Sequence, residues 1–99
     1  MRVLDLLQLL HDYSKNTLVS VQAAGAVHNI DAFEPIVIDE QPALVIRLKD
    51  SGKPLKCWEL TLLLDKPTWR QRFLYAGNAD EVRPLFGFQD RAQKGLVLN

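Results

Sequence analysis

The sequence predicts a single α+β domain, residues 1–99, in which an amphipathic N-terminal helix packs on a small, mainly antiparallel sheet with meander topology. Three observations lead there. Val3, Leu6, Leu7, Leu10 and Tyr13 recur at helical spacing. From Thr17 onward the apolar residues shift to alternate positions, the period of a strand. Polar or Gly/Pro-bearing breaks at 39–42, 50–54 and 89–95 then divide the remainder into short runs at hairpin spacing.

The helix is expected over Val3–Tyr13, with Asp5, Gln8 and Asp12 opposite the apolar stripe and Asn16 suited to the turn beyond its end. Leu4 and Leu9 flank the stripe on its two sides. They widen the apolar surface beyond a coiled-coil seam, and either one left outside the core would mark a partner surface. Thr17–Gln22 reads as the first strand, Gly25 as a turn and Val27–Ile30 as a short strand. Phe33–Ile38 and Ala43–Leu48 form a hairpin around Asp39-Glu40-Gln41-Pro42.

Beyond Asp50–Pro54, Trp58, Leu60, Leu62 and Leu64 alternate with Cys57, Glu59 and Thr61, the pattern of a further strand. Local rules conflict over 68–77. Thr68 and Gln71 have capping-box spacing and Gly77 suits a helix end, favouring a second short helix near 68–76, while Phe73 and Tyr75 alternate with Leu74 as in a strand. The helix is the expectation. Asn78 and Glu81 allow one further helical turn before Pro84, and Leu85–Phe88 with Leu96–Leu98 read as a closing hairpin.

The composition, 47% hydrophobic and 24% charged, is that of an ordinary globular protein. Twelve basic residues balance twelve acidic ones, so no net field steers the chain toward nucleic acid or an anionic membrane. Local charge is uneven, acidic at Asp31, Glu34, Asp39 and Glu40 and basic at Lys66, Arg70 and Arg72. Cys57 is the only cysteine, which excludes an intrachain disulfide and fits a reducing compartment. With no signal-peptide pattern at Met1–Asp5 and no apolar run of spanning length, a cytoplasmic location without membrane attachment is expected.

Chemistry-bearing motifs are sparse. His11, His28 and Cys57 are too widely spaced for a local metal-ligand pattern, so no metal or cofactor is expected. Ser14, Ser20 and Ser51 lie outside any nucleophile elbow, and Cys57 beside Trp58 fits burial as a small hydrophobe. Asp39-Glu40 and Asp80-Glu81 are adjacent pairs in turns, where carboxylates are ordinarily solvated. No phosphate-cradling glycine motif is present and no small-molecule ligand is implied, so a catalytic role is not expected.

The remaining candidate is Trp69-Arg70-Gln71-Arg72-Phe73-Leu74-Tyr75. Arg70 and Arg72 can contact phosphates while Trp69 and Tyr75 stack on bases, which would make a nucleic-acid site. The same four residues also suit a protein interface, and the aromatics alone would suit a core with the arginines in solvent. The opening Val3–Leu10 helix followed by Thr17–Val21 resembles the start of many small bacterial or phage-encoded proteins. That resemblance implies an accessory protein and assigns no residue a role. The leading expectation is a small non-enzymatic protein that binds another protein or forms a homo-oligomer; the alternative is nucleic-acid binding through residues 69–75.

Overall fold

The computed structural model describes all residues, Met1–Asn99. In chain order its elements are α1 (Val3–His11), β1 (Leu18–Ala23), β2 (Ala26–Ile38), β3 (Gln41–Lys49), β4 (Leu55–Lys56) and α2 (Cys57–Leu64). A 3-10 turn at Pro67–Trp69 follows, then β5 (Phe73–Asn78), β6 (Glu81–Pro84), β7 (Phe88–Arg91) and β8 (Gly95–Leu98). The fold is α+β, with the N-terminal helix packed against a mostly antiparallel sheet.

Helix α1 forms where the apolar stripe requires it, and its start is fixed from both sides. The Arg2 backbone N–H donates to the Asp5 carboxylate at 2.8 Å, and that acidic side chain also favours the positive end of the helix. The N–H groups of Val3 and Leu4, which have no partner inside a helix, donate to the carbonyls of Arg72 and Arg70 at 2.9 and 3.0 Å. The helix thereby begins docked on the segment leading into β5. It ends at His11 with Asp12 as cap, two residues before Tyr13. Val3, Leu6 and Leu10 are buried as the stripe predicts, whereas Leu7 and Tyr13 are half-buried.

The sheet order is β6-β5-β3-β2-β1-β8-β7, with β4 paired to β1 off that path. β1, β2 and β3 follow one another as a meander. The pairs β3/β5 and β1/β8 are parallel, so the strand order departs from a meander after β3. β6 lies four places from β1 in this order, yet Arg83 Nη2 donates to the Gln22 carbonyl at 2.7 Å. A flat sheet would separate those strands by roughly 19 Å, so the sheet is curled. Leu44, Ile46, Leu74, Val19, Val21 and Leu96 fill its concave side, with Leu6 from α1 and Leu60 from α2 completing one core.

Four expectations need correction. The segments read as Val27–Ile30 and Phe33–Ile38 are one strand, β2, carrying a bulge between Ile30 and Ala32 that restores the inward phase of Phe33. The run containing Trp58, Leu60, Leu62 and Leu64 is helix rather than strand. Cys57, Leu60 and Leu64 are its buried residues, a helical spacing, and the Lys56 N–H donates to Glu59 Oε1 at 3.1 Å. The second short helix expected near 68–76 is reduced to the 3-10 turn at Pro67–Trp69, because Phe73–Asn78 pairs with both β3 and β6. Asn78–Glu81 is the turn of the β5/β6 hairpin rather than a helical turn.

Gly77 therefore has a different duty from ending a helix. A Cβ there would lie 2.0 Å from the Glu81 carbonyl oxygen, so only glycine permits β6 to fold back so closely. The β2/β3 hairpin stands as expected, turning through Asp39 and Glu40. The closing hairpin does too, although its first strand is Phe88–Arg91. No helix is long and apolar enough to cross a membrane.

Candidate interaction surface

The most distinctive surface grows from the composition of α2. Cys57, Leu60 and Leu64 point inward, and Trp58, Leu62 and Leu63 occupy the outward side, leaving Glu59 and Thr61 as its only polar residues. A helix apolar around nearly its whole circumference is ordinarily covered on all sides. Here the outer side is bare: Leu62 is 70% exposed and Trp58 and Leu63 are each 45% exposed. Backbone anchors fix the helix in this orientation, since the N–H groups of Cys57 and Trp58 donate to the carbonyls of Thr17 and Lys15 at 2.8 and 3.1 Å.

The apolar surface continues past the helix. A cleft of about 430 Å³ lies between α1 and α2, with Leu10, Tyr13, Cys57, Trp58 and Leu62 in its walls and Lys15 at its border. Tyr13 meets Phe88 edge-on, with ring centroids 6.3 Å apart and planes at 83°. Phe88 is itself 41% exposed, which extends the belt onto β7. Partial burial, with the Asp90 and Asp12 carboxylates close by, pushes the Tyr13 phenol above its ordinary value and keeps it a neutral hydrogen-bond donor. Burial likewise pushes the Cys57 thiol up, so it stays protonated beneath the belt.

On the other side of His11 and Thr61 a second cleft of about 480 Å³ runs between the helices, floored by Leu4 and Leu7 and walled by Gln8, Asp65 and Arg70. The two helix-flank residues singled out in the sequence separate here. Leu9 packs against the core, whereas Leu4 opens into this cleft.

The four residues predicted as a binding site do not share one face. Trp69 packs against the core, tilted on Phe33 with centroids 6.3 Å apart, and the Lys66 ammonium sits 4.2 Å over its ring. Arg70 pairs with Asp65 at 2.8 Å at the edge of the second cleft. Arg72 Nη1 donates to the carbonyls of Ile36 and Ala43, both at 3.1 Å, which ties the end of β2 to the start of β3. Tyr75 stands opposite Val45 on the side of β5 away from core residues Leu74 and Ala76. Only Arg70 borders the helical surface.

The α2 surface escaped sequence reasoning because a strand assignment turns Trp58, Leu60, Leu62 and Leu64 all inward. The signal that would have found it is the helical spacing of Cys57, Leu60 and Leu64 together with Glu59 in capping position. No group of three His, Cys, Asp or Glu side chains converges to hold a metal ion. Comparison with known proteins finds no matching family model, no matching curated protein and no matching solved structure.

Proposed function

We propose that this chain is a small non-catalytic protein-binding domain, acting inside the cell, whose anchor is the outward face of α2 with the adjoining Tyr13–Phe88 strip. The observation that carries this reading is the half-uncovered apolar helix: Trp58, Leu62 and Leu63 face outward on an element whose composition calls for cover on every side. Trp and Tyr are the residue types that most often anchor protein interfaces, and the cleft beside Trp58 offers a pocket for an apolar side chain of a partner. The neutral balance of charge also suits a protein surface better than a polyanion.

Display selection tests the reading. Peptides selected from a random library on the wild-type protein should lose binding at least tenfold on a Leu62→Arg variant whose circular dichroism is unchanged. Selected peptides that bind both proteins equally would place recognition elsewhere and refute it.

A further inference from the structure

We propose that Arg83 and Arg91, brought together over Gln22 by the curl of the sheet, form a binding site for a phosphate group, separate from the α2 face. They stand on β6 and β7, the two outermost strands of the sheet order. In a flat sheet these strands would lie farthest apart, and curling sets a side chain of each against β1. Arg83 Nη2 donates to the Gln22 backbone carbonyl at 2.7 Å, and Arg91 Nη2 donates to the Gln22 side-chain oxygen at 3.1 Å. Gln89 Oε1 steadies Arg91 further, accepting from its Nε at 3.1 Å and its Nη2 at 2.9 Å. Two guanidinium groups therefore meet across one glutamine.

Every acceptor that holds them is neutral. The ion pairs of the chain are His28–Asp50, Arg47–Glu34, Lys49–Asp31 and Arg70–Asp65, so neither positive charge at Gln22 has a carboxylate partner. Asp90, next to Arg91 in the chain, sits by Tyr13 instead. Glu81 borders the same cleft of about 350 Å³ as Arg83, beside Ala23 and Ala24, but forms no ion pair with it. Lys94, whose N–H donates to the Arg91 carbonyl at 3.0 Å, leaves the patch net positive on a chain of zero formal charge.

The unused donors identify the ligand class. A guanidinium carries five N–H donors. Arg83 uses one on Gln22, and Arg91 uses its Nε and both Nη2 hydrogens, so four donors of Arg83 and the two on Arg91 Nη1 have no protein acceptor. A carboxylate has two oxygens, enough for one guanidinium fork, whereas a phosphate group has oxygens and charge enough for both. Because Gln22 and Gln89 already fix the two side chains, little of their freedom is lost on binding.

The test follows the arginine side-chain Nε–H signals of isotope-labelled protein by NMR while pyrophosphate is titrated in at constant ionic strength. Arg83→Gln and Arg91→Gln assign the two signals and serve as binding variants, with circular dichroism to check their fold. The expected result is saturable movement of both signals with a midpoint on the order of 1 mM, at least tenfold weaker binding in either variant, and acetate at least tenfold weaker than pyrophosphate. Movement still linear at about 20 mM overturns the site, and the wild-type signals alone decide this. So do acetate matching pyrophosphate and variants that bind like wild type. A short oligothymidylate separates the sources of the phosphate: binding tighter than pyrophosphate assigns it to a nucleic-acid backbone, and weaker binding to a small phosphorylated molecule.

Discussion

His28 illustrates how one side chain can hold two turns together. Its Nδ1 lies 2.5 Å from the Asp50 carboxylate and its Nε2 3.1 Å from the Ala23 carbonyl. Both partners only accept, so the imidazolium, with hydrogen on both ring nitrogens, is the form that satisfies both contacts at once. The Asp50 hydrogen bond, reinforced by the Ala23 bond and the Asp50 charge and opposed by burial, raises the pKa of His28 above 6.5. A raised folded-state value means the clasp contributes its full stability below about pH 6.5 and loses it as pH rises through the folded-state value. The urea midpoint of wild type should therefore exceed that of His28→Gln most at low pH, with the gap closing toward alkaline pH. A gap independent of pH would show that the imidazolium is not the stabilising form.

A second expectation concerns Glu40. With Asp39 at φ 50° and Glu40 at φ 66°, both turn residues of the β2/β3 hairpin occupy left-handed backbone that favours Asn and Gly. Glu40→Gly should raise stability by about 0.5–1 kcal/mol in urea titrations, since neither carboxylate makes a hydrogen bond that would be lost.

At the scale of elements, α1 was legible because it carries one period over enough residues, and the β2/β3 hairpin because Asp39-Glu40-Gln41-Pro42 separates two β-branched-rich runs. Helix α2 was not, because eight residues fit both periods: Trp58, Leu60, Leu62 and Leu64 alternate, while Cys57, Leu60 and Leu64 follow a helix. Its tertiary anchors at Lys15 and Thr17, distant in sequence, favour the helix. The two geometries assign Leu60 and Leu62 differently, which makes them a sharp pair. Leu60→Ala should cost about 2–5 kcal/mol and Leu62→Ala within about 0.5 kcal/mol in the same urea titration. Equal costs would restore the strand assignment. Residues 73–78 were misread for a related reason, since the parallel partner β3 that makes them a strand leaves no local mark. The candidate surface inherited the α2 error directly: with that helix read as a strand, no outward Trp58–Leu62 pair exists to notice.

For the whole molecule, a peptide that covers the α2 face should link its concentration to heat resistance. The Tm of wild type should rise with saturating selected peptide, while that of Leu62→Arg stays fixed. Equal shifts in both proteins would place the peptide elsewhere on the surface.

The pairing of β1 with β8 has a kinetic consequence. It joins residues 19–21 to residues 96–98, about three-quarters of the chain length apart, whereas β2 and β3 meet through a two-residue turn. Long closures lose more chain entropy before any contact compensates them, so the β2/β3 hairpin should assemble early and the β1/β8 ladder late. Throughout that interval the β1 edge, with Val19 and Val21 on it, is an unpaired template for another chain. The mutual Gly87–Asn99 bonds put the Val97 N–H on the β7 side and the Leu98 N–H on the β1 side, so Leu98→Pro removes a donor from the late ladder and should lengthen the interval, giving slower refolding and turbidity that grows with concentration. On this view the last strand to dock governs how long the folding chain remains vulnerable to aggregation.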